Sequence, residues 1–128
     1  MADKKKVLIV EDDPHISKVY VIKLGQEGFD TVQAMDGEEG FAKIMELHPD
    51  LVMLDLMLPK KDGFWVMEEM SKHAEVANIP VVVLSNLGQQ QDKDRAFQLG
   101  AKDYMVKADN PIKDVIDRVK KILPVPQA

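Results

Sequence analysis

LVMLDLMLPKKDG, residues 51–63, contains an apolar run, an acidic side chain and a turn in quick succession. Residues 51–54 are apolar at every position, as in a strand that is covered on both of its faces. Asp55 follows at once, and Pro-Lys-Lys-Asp-Gly then supplies turn-forming residues. The stretch therefore predicts that Asp55 lies at the carboxyl end of a buried strand.

The same pattern of short apolar runs recurs along the chain and predicts a sheet. VLIV (residues 7–10) and VVVL (residues 81–84) are typical of buried strands, and DTVQA (residues 30–34) and DYMV (residues 103–106) of weaker ones. Helix-length segments separate the five predicted strands. Strict alternation of this kind predicts an α/β fold, a (βα)5 doubly wound parallel five-stranded sheet with helices on both faces and right-handed crossovers.

Capping and stop signals mark the helices between the strands. Asp13, just before a proline, and Asp36 are predicted N-caps, and Gly100 is a predicted helix stop. Asp62, just before a glycine, is interpreted as part of a turn only. The last helix carries a one-sided apolar stripe, which consists of Ile112, Val115, Ile116, Val119, Ile122 and Leu123.

Composition indicates a single domain without disulfides. The chain of 128 residues suits one domain over residues 1–128, with a core of about 5–123 and no output domain. The lack of cysteine excludes a disulfide framework and thiolate metal sites. The N-terminal apolar run is too short for a signal peptide or a membrane span, so a cytoplasmic protein without a membrane partner is expected. A net charge of −5 argues against direct binding of nucleic acid.

Polar side chains collect at one edge of the predicted sheet. In doubly wound sheets, ligands bind outside the carboxyl ends of the strands. Glu11 and Asp12 follow the first strand, Asp55 the third, Ser85 the fourth and Lys107 the fifth. Carboxylates, a hydroxyl and an ammonium therefore converge on a common edge, which predicts a site there.

These groups suit phosphoryl transfer that is assisted by a hard metal ion. Crowded carboxylates repel each other unless a cation lies between them, and oxygen ligands without His or Cys favour Mg²⁺. Asp12 and Asp55 are the predicted ligands, with Glu11 nearby or bound through water. A carboxylate can also attack phosphorus and form an aspartyl phosphate, whose oxygens need a cation and a hydroxyl donor. Lys107 and Ser85 fit those two needs.

The order of these motifs resembles the receiver domain of two-component response regulators. The resemblance rests on the acidic pair after VLIV, on DLMLPKKDG, on VVVLS and on GAKDYMVK, and it covers residues 5–123. It implies a flavodoxin-like (CheY-like) fold with strand order 2-1-3-4-5. It also implies a sensor histidine kinase or a histidine phosphotransfer protein as the phosphoryl donor. A downstream protein effector would bind the face formed by the fourth helix, the fifth strand and the fifth helix.

The resemblance also assigns family roles to the residues around the metal. Asp55 matches the phosphoacceptor, and Asp12 a direct Mg²⁺ ligand with Glu11 as its acidic neighbour. The backbone carbonyl of Met57 would complete the metal site. These matches imply Mg²⁺-dependent transfer of a phosphoryl group from a phosphohistidine to Asp55, with Mg²⁺ as the cofactor.

A conformational switch is implied by three further matches. Lys107 is similar to the lysine that contacts the phosphoryl group, and Ser85 to the hydroxyl that moves toward it. Tyr104 is similar to the aromatic residue whose ring turns inward when that hydroxyl moves. Such a protein takes up and loses its own phosphoryl group and is not otherwise an enzyme.

The chain departs from the family pattern in the loops around the site. Ala108 stands where family members usually have a proline in a cis bond after the lysine, which leaves the loop geometry open. Asn86 stands where alanine is common after the switch hydroxyl. Lys102 and Asp103 replace the acidic pair of regulators that dimerise through the output face, so a monomer or a weak dimer is expected.

Two other functions stay open at the level of sequence. A degenerate receiver would bind a partner without phosphate, and Ala108 and Asn86 keep that hypothesis open. The complete set of candidate site residues opposes it. A Mg²⁺-dependent phosphohydrolase of the haloacid-dehalogenase type also forms an aspartyl phosphate, but it carries a second aspartate where this chain has Met57.

Overall fold

The computed structural model describes residues 4–124 and contains five strands that alternate with helices. The strands are β1 (Lys6–Val10), β2 (Asp30–Ala34), β3 (Leu51–Leu54), β4 (Val81–Ser85) and β5 (Asp103–Val106). The α-helices are α1 (Pro14–Gln26), α2 (Gly37–Leu47), α3 (Gly63–Ser71), α4 (Gln90–Gln98) and α5 (Ile112–Ile122), and a 3₁₀ helix covers Lys107–Asp109. The predicted alternation is confirmed, and β1 and β4 each extend one residue beyond the apolar run that predicted them.

All five strands pair in parallel, in the order β2-β1-β3-β4-β5, as the resemblance implied. The register aligns their carboxyl ends, because Val10 pairs with both Ala34 and Leu54, and Ser85 pairs with Val106. Residues that follow these pairs leave the sheet at the same edge. The strand order reverses between β1 and β3, which is where doubly wound sheets bind ligands.

Helices cover both faces of the sheet and create two hydrophobic layers. In β1, Leu8 and Val10 lie in the layer shared with α2, α3 and α4, whereas Val7 and Ile9 lie in the layer shared with α1 and α5. Burial on both faces explains why the strand sequences are apolar at every position.

Aspartate side chains begin three of the helices. Asp13 accepts hydrogen bonds from two backbone N–H groups of α1 (2.9 and 3.3 Å), and Asp36 accepts one from α2 (2.8 Å), so both predicted N-caps are confirmed. The interpretation of Asp62 as a turn residue only is wrong. Its side chain accepts a hydrogen bond from a backbone N–H of α3 at 2.9 Å and makes it the N-cap of that helix.

The loop between β3 and α3 is packed tightly against the strand end. The Gly63 N–H donates to the carbonyl of Leu56 at 3.1 Å. A Cβ at position 63 would lie 2.5 Å from the carbonyl oxygen of Asp55, so only glycine fits. This contact fixes the backbone segment that carries Asp55.

The loop between β5 and α5 is short and closed by a side chain. All peptide bonds in residues 4–124 are trans, including the Lys107–Ala108 bond that the sequence left open. The loop forms the 3₁₀ turn of Lys107–Asp109, and Asn110 Nδ2 donates across it to the carbonyl of Val106 at 2.9 Å. The backbone of Lys107 is therefore held without a proline at the next position.

Among the helices, α4 is attached by the fewest buried residues. Of its nine residues only Ala96 is buried, and its N-cap, Gln89, makes no capping hydrogen bond through its side chain. Arg95 ties α4 to α3, because its guanidinium lies 4.1 Å from the ring centroid of Phe64 and 3.0 Å from the carboxylate of Glu68. α4 thus has fewer buried attachments than the other helices.

Candidate functional site

Three of the predicted side chains meet at the carboxyl edge of the sheet. Lys107 Nζ donates to Asp55 Oδ2 at 2.7 Å and to Glu11 Oε1. The two carboxylate residues are 5% and 4% exposed, respectively. The ends of β1, β3 and β5 therefore form one buried ion-pair cluster from residues far apart in sequence.

Each buried carboxylate is also held by a backbone N–H two residues further along the chain. Asp55 Oδ1 accepts from the N–H of Met57 at 3.0 Å, and Glu11 Oε2 accepts from the N–H of Asp13 at 3.0 Å. One oxygen of each carboxylate therefore faces Lys107, and the other faces its own loop. Both side chains are oriented before any ligand arrives.

Asp12 lies at the exposed edge of this cluster. Carboxylate oxygens of Glu11, Asp12 and Asp55 lie within 4.8 Å of one another. With Lys107 as the cationic partner, the four side chains carry two net negative charges when all are ionised. An all-oxygen donor set with excess negative charge fits Mg²⁺. For Met57, the structure gives a contact of the backbone N–H, and the metal contact of its carbonyl stays a prediction.

The cluster changes the acid–base behaviour of its members. Burial raises the pKa of Glu11, and the negative charge of Asp55 raises it further. The hydrogen bonds from Lys107 and from the N–H of Asp13 lower the pKa but do not cancel this effect. For Lys107, burial favours the neutral amine, but the hydrogen bonds and charges of Asp55 and Glu11 outweigh it and raise its pKa. Lys107 therefore remains an ammonium at neutral pH, beside a carboxyl group that resists ionisation.

The two predicted switch residues hold the same loop residue, Leu87. Ser85 is fully buried at the end of β4, and its Oγ accepts a hydrogen bond from the Leu87 N–H at 3.4 Å. The hydroxyl of Tyr104, on β5, donates to the carbonyl of Leu87. Burial raises the pKa of Tyr104 to about 12, and the charges of Asp92 and Asp55 contribute to the shift. The phenol is thus a permanent donor at neutral pH.

Two residues have structural roles in the site that the sequence did not predict. Leu87 contacts Ser85 and Tyr104 through its backbone, so its side chain carries no signal of this role. Asn110 closes the loop that presents Lys107, a role that the sequence did not predict. An amide side chain three residues after a functional lysine was the available signal.

Similarity to known proteins identifies the class of this protein. The chain belongs to the response regulator receiver family, because the model of the response regulator receiver domain matches residues 7–120. It is 45% identical over 118 residues to the DNA-binding dual master transcriptional regulator RpaA of Synechocystis sp., a match that covers 92% of this chain and 48% of RpaA. This chain spans about half the length of the curated relatives that it matches.

Solved structures agree with this family. The receiver domain of the Francisella response regulator 1452 has a TM-score of 0.85 at 31% identity, covering 93% of this chain and 96% of that one. The BeF₃-activated N-terminal receiver domain of RstA from Klebsiella pneumoniae has a TM-score of 0.84 at 30% identity, covering 94% and 100%. The CheY-like fold and the receiver class are therefore confirmed, and the roles of individual residues stay predictions. Within residues 4–124, no helix is long and apolar enough to cross a membrane.

Proposed function

We propose that this receiver accepts a phosphoryl group on Asp55 in a Mg²⁺-dependent reaction and that the modification switches a partner-binding surface. The observation that carries this proposal is the contact of Lys107 Nζ with Asp55 and Glu11. It gathers a nucleophile, a fixed cation and a second carboxylate at the strand edge where ligands bind. The proposed donor is a phosphohistidine of a sensor histidine kinase or a histidine phosphotransfer protein.

In the proposed reaction, the Asp55 carboxylate attacks the phosphorus of the donor. One of its oxygens forms the new O–P bond while the bond from phosphorus to the imidazole nitrogen breaks, and the electron pair of that bond returns to the nitrogen. The N–H of Met57 holds the carboxylate in place, at 3.0 Å from Oδ1. Lys107 then pairs with an oxygen of the transferred group instead of the free carboxylate. Its raised pKa supports this role, since the ammonium keeps its charge throughout.

Three carboxylates could hold the metal ion that this reaction needs. Glu11, Asp12 and Asp55 supply oxygens within 4.8 Å of one another, and Asp12 is accessible from solvent. Bound Mg²⁺ would neutralise charge on the phosphoryl oxygens and on the carboxylates. The backbone carbonyl of Met57 is a further proposed ligand.

The switch would start at Leu87. A phosphoryl oxygen on Asp55 would attract the Ser85 hydroxyl, which now accepts from the Leu87 N–H. Movement of that loop would also change the hydrogen bond of Tyr104 to the Leu87 carbonyl. Tyr104 lies on β5 against Phe97 of α4, with the ring centroids 6.5 Å apart. The proposed output surface is therefore the α4–β5–α5 face.

The proposed partners follow from charge and from the relatives. The net charge of −5 favours a protein effector over nucleic acid for this domain itself. RpaA is named a DNA-binding regulator, and the match covers 48% of its length, so a receiver of this type can serve a DNA-binding protein. Asp103 pairs with Arg118 of α5 within the chain, which occupies charges that could otherwise join two copies. A monomer or a weak dimer fits this pairing, and a cytoplasmic site of action is part of the proposal.

Intact-mass measurement tests the proposal. The wild-type protein, incubated with acetyl phosphate and Mg²⁺, should gain about 80 Da, the mass of one phosphoryl group on an aspartate. Asp55→Asn, and the wild-type protein in excess chelator, should gain nothing. Asp50→Asn is the matched control. Asp50 lies just before β3, at the end of the strand far from Asp55, and its side chain accepts a hydrogen bond from the N–H of Lys6 at 2.8 Å.

The other outcomes distinguish the alternatives. A protein that neither gains mass nor binds beryllofluoride would be a degenerate receiver that acts without phosphate. Sustained release of phosphate from a phosphomonoester would indicate a phosphohydrolase. That outcome is not expected, because Met57 offers a thioether and no acid to a leaving group.

A further inference from the structure

Asn110 contacts the backbone on both sides of the Lys107 Cα. Its side-chain Nδ2 donates to the carbonyl of Val106 at 2.9 Å, and its own N–H donates to the carbonyl of Lys107 at 3.4 Å. These carbonyls belong to the two peptide groups that flank the Cα of Lys107. One residue therefore restrains the backbone from which the Lys107 side chain starts.

This restraint links the sheet to α5. Val106 is the last residue of β5 and pairs with Ser85 of β4, so its backbone belongs to the sheet. On the other side, Asn110 is followed by Pro111, the N-cap of α5, which makes no capping bond through its side chain. The amide of Asn110 points back to the strand and is not a helix cap.

The position of Lys107 depends on such an anchor. A lysine side chain is flexible, so its ammonium reaches a defined point only when the backbone and the bonding partners are both fixed. Ala108, the next residue, has no ring to restrict the turn, and the Lys107–Ala108 bond is trans. A displacement of about 1 Å at a reacting group is enough to slow a reaction strongly.

We infer that Asn110 is a positioning residue for Lys107: its two hydrogen bonds hold the turn in the geometry that lets Nζ reach Asp55 and Glu11. The inference deepens the proposed function and rests on it for the consequence in phosphorylation. The effect on the position of Lys107 does not depend on phosphate and can be measured alone.

The test compares Asn110→Asp and Asn110→Ala with the wild-type protein. Aspartate keeps the size of the side chain but removes its N–H donor, and alanine removes the side chain. Asn78→Asp, at an exposed position in the loop before β4, is the control for the charge change. Nuclear magnetic resonance of the lysine Nζ and Cε groups reports whether Lys107 keeps its contacts with Asp55 and Glu11. Initial rates with acetyl phosphate at several donor concentrations report the reaction.

Both Asn110 variants should shift the Lys107 side-chain signals toward those of a solvated lysine. They should also lower the phosphorylation rate at saturating donor, by up to about tenfold, the size that the loss of one hydrogen bond can produce. Asn78→Asp should change neither. Amide signals outside residues 104–113 and outside the carboxylate loops at 11–13 and 55–57 should stay in place, which separates a positioning role from unfolding.

Unchanged Lys107 signals in a folded Asn110→Ala protein would overturn the inference, as would equal shifts in Asn78→Asp. Should both Asn110 variants unfold, Asn110→Leu, which keeps a similar size but has no donor, serves the same comparison. If the wild-type protein accepts no phosphate, the proposed function fails, while the lysine signals still decide the role of Asn110.

Discussion

Tyr104 donates its hydroxyl hydrogen to the backbone carbonyl of Leu87, and Ser85 accepts from the N–H of the same residue. The two side chains assigned to the switch are therefore connected through one peptide backbone. A movement of the Leu87 backbone would therefore alter both hydrogen bonds at once. If phosphorylation moves Ser85, the backbone of Leu87 would transmit that movement to Tyr104.

Tyr104 should ionise far above the usual pH of a tyrosine. Its pKa is raised to about 12, chiefly by burial. The folded state binds this proton more tightly than the unfolded chain, so the resulting stability is complete below about pH 10 and is lost as the pH rises toward the folded value. Ultraviolet absorbance titration of the wild-type protein and Tyr104→Phe measures this difference. A step near pH 10 that disappears in Tyr104→Phe would contradict the prediction.

Magnesium should stabilise the fold through the three carboxylates. An ion that binds only the folded state, at about a hundred times its Kd, adds about 2.7 kcal/mol to the free energy of unfolding. For a domain of this size that is a rise in Tm of roughly 10 °C. Thermal unfolding with and without Mg²⁺ measures the shift. Asp12→Asn should lose most of it, whereas Asp30→Asn, at the opposite edge of the sheet, should keep it; equal shifts in both variants would argue against the site.

Removal of the Lys107 ammonium should destabilise the protein in a pH-dependent manner. Lys107→Ala leaves Glu11 and Asp55 buried without their cation, and the expected loss is about 3–5 kcal/mol at pH 7. Burial raises the pKa of Glu11, and the substitution also removes the Lys107 hydrogen bond that lowers it, so the loss should shrink as the pH falls and Glu11 takes up its proton. Urea unfolding at pH 7 and pH 4.5 tests this, with Lys18→Ala on the exposed face of α1 as the control. A loss that is equal at both pH values would contradict the explanation.

The phosphorylated protein should lose its phosphoryl group slowly. Met57 is 55% exposed beside Asp55, and Leu87 lies beside Ser85, yet neither side chain can position a water by hydrogen bonding. A lifetime on the order of hours is expected, because a positioned general base or water would be absent. Met57→Asn, alone or with Leu87→Lys, should shorten it several-fold in Mg²⁺, as followed by intact mass. Met35→Asn, another exposed methionine, should not change the lifetime; the same lifetime in every variant would contradict the prediction.

Most of the fold follows from local signals that the sequence displays directly. Runs such as VVVL predict strands covered on both faces, and Asp13 and Asp36 mark helix starts because a capping side chain acts within its own turn. Parallel register then brings the strand ends together, so a site at one edge was predictable. Asp62 was misread because aspartate before glycine suits a turn and an N-cap equally well.

The contacts within the site were less predictable. Proximity of Glu11, Asp55 and Lys107 followed from topology, but the sharing of Lys107 by both carboxylates depends on side-chain packing between residues 96 and 52 positions apart. Backbone contacts, such as those of Leu87, can be made by almost any residue type, so the sequence does not predict them. The trans bond after Lys107 depends on the conformation of the whole loop, which Asn110 closes.

The weak attachment of α4 has a consequence for how the protein unfolds locally. Few buried contacts and an N-terminus without a side-chain cap allow a segment to open while the rest of the domain stays folded. In amide hydrogen exchange, α4 should therefore exchange through local opening, and the central strands β1 and β3 only through global unfolding. The contacts of Arg95 with the Phe64 ring and the Glu68 carboxylate would raise the free energy of that opening. A partner that binds the α4–β5–α5 face would then slow the exchange of α4 itself.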